Sequence, residues 1–263
     1  MSIIESFGYY EGACSFPIQR HIDCEMLYVT DGYIKIAAQS IEYTVSKGQM
    51  CLIPSGIAHS TYTDDASYKR WVMFINTWDL STVYSSPLLQ NIISGLSCKR
   101  PLIADTPAHI LDTIRNMHAE YQSKEPLSND ILFAEMIGLI SHIARQNPNI
   151  ARSEITCSQR LVLNIRSYIH QNCSEDLKIS DVAAHFFISS WYLSHIFKEQ
   201  TGISPKTFLI SCRITKASRM LTSTELSAAE IAEACGFVSP SDMALRFKKE
   251  YGITPTEYRA GKR

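Results

Sequence analysis

The sequence predicts an α+β protein of more than one domain: an N-terminal β-barrel with a helical extension, then a C-terminal all-α domain with two helix-turn-helix units. Three observations carry this. Short β-type segments fill residues 26–76, helical periodicity takes over after Trp78, and a helical unit at 182–205 recurs at 231–255. Short strands separated by turns indicate a sandwich or barrel, and a repeat marks a duplicated supersecondary unit. The 263 residues fit this division, at about 150 per domain.

In the first region the β-type segments are MLYVT, YIKIAAQ, IEYTV, MCLIP, HSTYT and RWVMFI. Between them stand the turn signals Asp31-Gly32, Lys47-Gly48, Pro54-Ser55-Gly56 and Thr63-Asp64-Asp65. Helices are then expected from Pro107 to Gln122 and from Leu127 to Gln146. In the second, Leu132, Met136, Leu139 and Ile143 form one stripe, while Phe133, Ile137 and Ile140 widen the apolar surface. A helix apolar on more than one face needs more than one partner. Either the stripe mediates homodimerisation or the helix is wedged into one core. Pro148 ends the helix, and the polar residues after it read as a linker. The expected divisions are 1–82 for the barrel, 83–150 for the extension and 151–263 for the all-α domain.

In the repeat, Val182-Ala183 falls on Ile231-Ala232. After a one-residue difference in the turn, Phe187 falls on Phe237, Ser189 on Ser239, Phe197-Lys198 on Phe247-Lys248, and Gly202 on Gly252. Each copy reads as a short helix, a tight turn and a longer helix, over about 179–202 and 228–252. Ser227-x-x-Glu230 is a capping box, Ser239-Pro240 an N-cap followed by a proline that costs no hydrogen bond, and Gly202 and Gly252 suit left-handed helix ends.

Leu193 and Phe197 point inward in the first long helix, so Trp191, Ser194, His195 and Lys198 share the opposite face. In the second, Met243 and Phe247 point inward and leave Ser241, Leu245, Lys248 and Lys249 outward, with Asp242 at the margin. Such faces can enter the major groove of double-stranded DNA. The base-contact candidates are Trp191, Ser194, His195, Ser241, Asp242 and Leu245. The backbone-contact candidates are Ser189, Lys198, Ser239, Arg246, Lys248 and Lys249. The charge balance agrees: residues 1–150 hold 10 Lys/Arg against 15 Asp/Glu, whereas 151–263 hold 15 against 11, so the basic half is the one expected to meet a polyanion.

Composition bounds the class further. With 45% hydrophobic and 19% charged residues the chain is globular. The most apolar stretch, Ile131 to Ala144, is broken by Glu135 and His142 and is too short to span a bilayer. No basic leader precedes an apolar run at the N-terminus, so a cytoplasmic protein with no membrane partner is expected. The eight cysteines include no C-x-x-C pair and read as reduced, mostly buried residues.

About the last hundred residues resemble the DNA-binding domain of AraC-type transcription regulators. The match lies in Tyr192-Leu-Ser-His-Ile-Phe-Lys, Thr201-Gly, Arg213-x-x-x-Ala217-x-x-x-Leu221, Ile231-Ala, Gly236-Phe237, Phe247-Lys-Lys and Gly252-x-Thr-Pro-x-Glu-Tyr-Arg259. The resemblance implies a sequence-specific regulator with RNA polymerase as partner if it activates. Relatives often carry Arg at the positions of His195 and Leu245 and an aromatic at that of Asp242, so the first unit is expected to dominate base readout.

Gly48-x5-Pro54-x-Gly56-x2-His59 resembles the second motif of cupin barrels, which makes the N-terminal domain cupin-like. The partner segment, Arg20-His21-Ile-Asp23-Cys-Glu25, lacks the H-x-H pair of a metal-binding cupin. No metal, cofactor or catalytic residue is therefore expected. AraC-type regulators frequently sense an effector in such a barrel, which implies Arg20, His21, Glu25, His59, Tyr62 and Trp71 as contacts with a small molecule, sugar-like if Trp71 stacks on it. The alternatives are a metal-dependent cupin enzyme with an appended helical domain, and a barrel that only contacts another protein.

Overall fold

The computed structural model describes residues 4–19, 23–75, 100–123, 125–148 and 156–261. The chain divides into two compact units, Met1–Gln159 and Arg160–Arg263.

Among the described residues of the first unit nine strands form two sheets: β1 Ile4–Glu11, β2 Cys14–Gln19, β3 Cys24–Asp31, β4 Tyr33–Ala38, β5 Ile41–Ser46, β6 Gln49–Ile53, β7 His59–Thr63, β8 Lys69–Ile75 and β9 Leu102–Asp105. One sheet has the order β1-β8-β3-β6-β9 and the other β2-β7-β4-β5. The architecture is cupin-like, although the hydrogen-bonded ladders form two sheets and do not close into a cylinder. Strand alternation assigns the faces. Leu27 and Val29 of β3, Ile34, Ile36 and Ala38 of β4, Val45, Cys51, Ile53 and Val72 form the core between the sheets.

The opposite face of the five-stranded sheet presents Met26, Tyr28, Met50, Leu52, Met73 and Ile75 to two helices, α1 His109–Ser123 and α2 Ser128–Gln146. Both helices and β9 thus belong to the same compact unit as the sheets. Leu132, Met136, Leu139 and Ile143 are each at most 2% exposed within this second core. This corrects the dimerisation assignment: their side chains are spent inside their own unit and leave no surface for a second subunit. Ile131, on another side of α2, is 47% exposed.

Three strands escaped the sequence reading. β1 buries only Ile4 and Phe7, without strict alternation; β2 contains Pro17 and has exposed residues at 15–18; β9 is four residues long. The β4–β5 hairpin turns through Gln39 and Ser40, at φ 51° and 62°. Asn-Gly is the usual signal for such a turn.

Among its described residues the second unit holds seven helices: α3 Cys157–Gln171, which begins just before the boundary, α4 Ile179–His185, α5 Ser190–Thr201, α6 Pro205–Ser223, α7 Ala228–Ala234, α8 Pro240–Tyr251 and α9 Pro255–Arg259. The long helix α6 packs on α5 and also on α7, α8 and α9, linking the two repeats. Around it, Ile214, Ala217, Leu221, Ile231, Phe237, Met243 and Phe247 form the core of the second repeat.

Candidate functional site

Local chemistry fixes where each long helix of a repeat begins and ends. Ser189 Oγ accepts the Tyr192 amide at 3.1 Å, and Ser239 Oγ accepts that of Asp242 at 3.1 Å. Both serines predicted to meet a DNA backbone are thus N-caps, whose hydroxyl protons remain available to donate. Gly202 and Gly252 close α5 and α8 in left-handed geometry, at φ 77° and 76°. The Ser227–Glu230 box is present in both directions.

Leu193, Phe197, Met243 and Phe247 are fully buried, which aims the other faces of α5 and α8 outward. On α5, Trp191 is 74% exposed, and Ser194, His195 and Lys198 are exposed beside it. The Trp191 and His195 rings lie parallel, 5.4 Å apart with 4° between their planes. On α8, Ser241, Leu245, Lys248 and Lys249 are exposed. Arg246 Nε donates to Asp242 Oδ1 at 2.7 Å across one helical turn, so part of its charge is already answered on the protein.

The turns refine the repeat. Ile188 N donates to Ala183 O at 3.0 Å, and Phe237 N to Ala232 O at 2.9 Å. Ile188 therefore corresponds to Phe237 and Phe187 to Gly236, correcting the alignment of Phe187 with Phe237. The extra residue of the second copy is Val238. Both Phe187 and Val238 stand almost fully exposed in their turns, at 96% and 95%; sequence reasoning did not single them out as surface residues.

Two arginines of the sequence motif serve the scaffold. Arg213 donates to Cys173 O and Glu175 O, each at 2.7 Å, tying α6 to the loop before α4. Arg259 holds Leu221 O at 3.2 Å and Leu226 O at 2.6 Å. Burial pushes the Cys235 thiol up to about 11 and the Cys51 thiol well above the usual range, leaving both protonated near neutral pH.

The four effector candidates that are described, Glu25, His59, Tyr62 and Trp71, do not all come together. Arg20 and His21 lie outside the described residues. Glu25 and His59 do face each other between the sheets, with His59 Nε2 at 3.2 Å from Glu25 Oε2 and Nδ1 at 3.0 Å from Ile57 O. Tyr62 falls on the outer face of the four-stranded sheet, because His59, Thr61 and Thr63 take the inner one. Its hydroxyl donates to Glu42 at 2.6 Å, which holds the Glu42 carboxyl below its usual range. Trp71 also faces away from the interior. Val72 points inward on β8, so Trp71 joins Phe7 at 5.8 Å, Tyr9 at 4.9 Å and His118 of α1 at 4.9 Å. The reading of Trp71 and Tyr62 as contacts with a ligand of the barrel is corrected by this alternation, and the sugar-like effector loses its stacking platform.

Residues 182–261 match the helix-turn-helix domain family, and residues 8–137 match the AraC-like ligand binding domain family. The chain belongs to the AraC-type transcription regulators. Like other AraC-type regulators it joins a DNA-binding helix-turn-helix domain to an N-terminal ligand-binding domain. It is 24% identical over 262 residues to the transcriptional activator RhaS of Escherichia coli, with 94% of this chain and 88% of RhaS covered. An uncharacterised regulator of Bacillus subtilis, YisR, is 23% identical over 89% of this chain and 85% of its own length. Among solved structures, an apo point variant of ToxT from Vibrio cholerae superposes with a TM-score of 0.66 at 17% identity, over 97% of this chain and 96% of ToxT. ToxT has also been solved bound to an unsaturated fatty acid, with a TM-score of 0.65 at 17% identity. Among the described residues, no group of three His, Cys, Asp or Glu side chains could hold a metal ion, and nothing in these likenesses favours a metal-dependent cupin enzyme. No helix among the described residues is long and apolar enough to cross a membrane.

Proposed function

We propose that this regulator reads DNA mainly through α5, with α8 anchoring it to the phosphates, and responds to a small molecule held between the two sheets. The observation that carries the DNA reading is the division of α5: Leu193 and Phe197 are buried, while Trp191 and His195 form an exposed, parallel pair. His195 can hydrogen-bond a base edge, Trp191 offers an apolar face to a thymine methyl, and Ser194 can donate or accept. On α8, Leu245 can touch only apolar base edges and the Asp242 carboxylate is held by Arg246, so Ser241 is its polar candidate for base contact. Lys198, Lys248, Lys249 and Arg246 supply phosphate neutralisation, with Ser189 and Ser239 donating from the helix starts.

The sensing role is proposed for the first unit because its family is defined by ligand binding, and because ToxT, of the same fold, holds a fatty acid. A homodimer would favour paired sites by effective concentration; its contact must use a surface other than the buried stripe of α2. RNA polymerase is the further partner if the protein activates, and no catalysis is assigned. The test is retardation of duplex fragments from the source genome by the full-length protein, at low salt and with excess unrelated duplex. Specific fragments should be retarded, and binding should weaken steeply with added salt. Failure to retard any fragment overturns the reading.

A further inference from the structure

The interior of the sheet unit contains a buried cation with no acid to answer it among the described residues. Arg70 of β8 is 8% exposed and lies on the inward side of the strand with Tyr68 and Val72. Its Nη1 donates to Cys14 Sγ at 3.0 Å. The guanidinium carbon lies 5.1 Å from the ring centre of Tyr68 and 5.5 Å from those of Tyr10 and Phe16. None of these contacts, and no ion pair found among the described residues, gives Arg70 a carboxylate. A thiol and three ring faces only partly replace the water that a guanidinium gives up on burial.

Beside it is a second unmet group. Tyr68 is fully buried, and apart from the neighbouring Arg70 guanidinium, which can only donate to it, its hydroxyl has no hydrogen-bond partner among the described residues, so its proton is unanswered. Buried phenols ordinarily find one. Burial raises the Tyr68 pKa, an effect only partly offset by the Arg70 charge, so the hydroxyl keeps its proton and can donate. A fork of guanidinium donors next to a phenol donor is the complement of a carboxylate, which accepts at both oxygens. The surroundings describe the rest of the ligand. Tyr10 and Phe16 are half-exposed, giving an apolar rim. Glu25 and His59, the other polar pair of this interior, already satisfy each other.

We propose that Arg70 and Tyr68 form the anion receptor of the effector site, taking the carboxylate of a small monocarboxylic acid whose apolar body lies on Tyr10 and Phe16. This rests on the reading of the first unit as the sensing domain. A neutral sugar would leave the guanidinium charge unanswered, whereas an acid neutralises it and fills the hydrogen-bonding capacity of both groups.

The experiment is calorimetric titration and thermal unfolding of the full-length protein with benzoate and octanoate, each against its neutral counterpart, benzamide or octanol. At least one acid should bind saturably and raise the unfolding temperature, with its counterpart weaker by about tenfold or more. Arg70→Gln should weaken the acid by about tenfold or more, Arg70→Lys by less, and Tyr68→Phe by about threefold to tenfold. If Arg70→Gln does not fold, the isosteric Tyr68→Phe and the contrast between acid and neutral compound decide the matter. The proposal is overturned if neither acid binds, if the neutral compound binds equally well, or if Tyr68→Phe and a folded Arg70→Gln both retain affinity within about twofold. If DNA retardation persists in any of those cases, the regulator reading stands and Arg70 is a cation–π strut between β1, β2 and β8.

Discussion

Phe187 and Gly236 occupy the same place in the two helix-turn-helix units, both in left-handed backbone, at φ 55° and 76°. Only glycine adopts that conformation without steric cost. Phe187 gains nothing from burial in return, since its ring is almost fully exposed. Phe187→Gly should therefore stabilise the protein by about 0.5–1 kcal/mol, the left-handed penalty of about 1–2 kcal/mol less the greater entropy of an unfolded glycine. Gly236→Ala should do the reverse and more. Its Cβ would stand 2.7 Å from Ser174 O and 3.1 Å from Cys173 O, both backbone atoms that cannot swing aside. A loss of more than about 2 kcal/mol is expected, and urea denaturation of the two variants measures both effects.

Asp242 and Arg246 form an ion pair on the face of α8 proposed to meet DNA. Asp242→Ala removes a charge that repels phosphate and frees the guanidinium to neutralise one. Affinity for all duplexes should rise by about twofold to tenfold, with a steeper dependence on salt, as fluorescence anisotropy can follow. Weaker binding confined to one base position would instead make Asp242 a reader of that base.

Leu139 lies in the core shared by α2 and the five-stranded sheet. Leu139→Ala should cost about 2–5 kcal/mol of unfolding free energy without changing the mass of whatever oligomer the folded protein forms. Sedimentation velocity beside denaturation distinguishes the two effects; dissociation without loss of stability would restore the stripe as an interface.

Trp71, half-buried, packs between β1 and α1, so Trp71→Ala should cost about 2–3 kcal/mol, less than truncation of a fully buried aromatic. Trp71→Phe should unfold only slightly earlier, with ligand affinity kept. Loss of ligand binding in a stable Trp71→Phe protein would bring the indole back into the effector site.

The second unit was the more legible in sequence because its signals are local. Ser227 and Glu230, Ser239 before Pro240, and the two closing glycines each act within one turn of helix, and the structure uses all of them. The repeat likewise revealed itself through buried positions such as Phe197 and Phe247. The misplaced residue in its turn, at Val238, escaped because Phe187 and Phe237 are chemically alike yet hold different backbone positions. In the first unit the important facts are long-range. Which side of β8 faces the other sheet depends on pairing with β1 and β3, so Trp71, singled out in the sequence, faces α1, while Arg70, not singled out, faces inward. Arg70 reads as one more charged residue until Cys14, 56 positions away, is brought beside it.

The proposed division of labour, with the exposed face of α5 reading bases and the lysines of α8 holding the backbone, is open to direct trial. Binding sites are selected from a randomised duplex pool with the wild-type, His195→Ala and Lys248→Ala proteins. His195→Ala should enrich sites with altered preference at one or two positions. Lys248→Ala should enrich the wild-type sites, bound more weakly, with the slope of log affinity against log salt reduced by about one. Identical preferences from all three proteins, or no enrichment by the wild type, would refute the division.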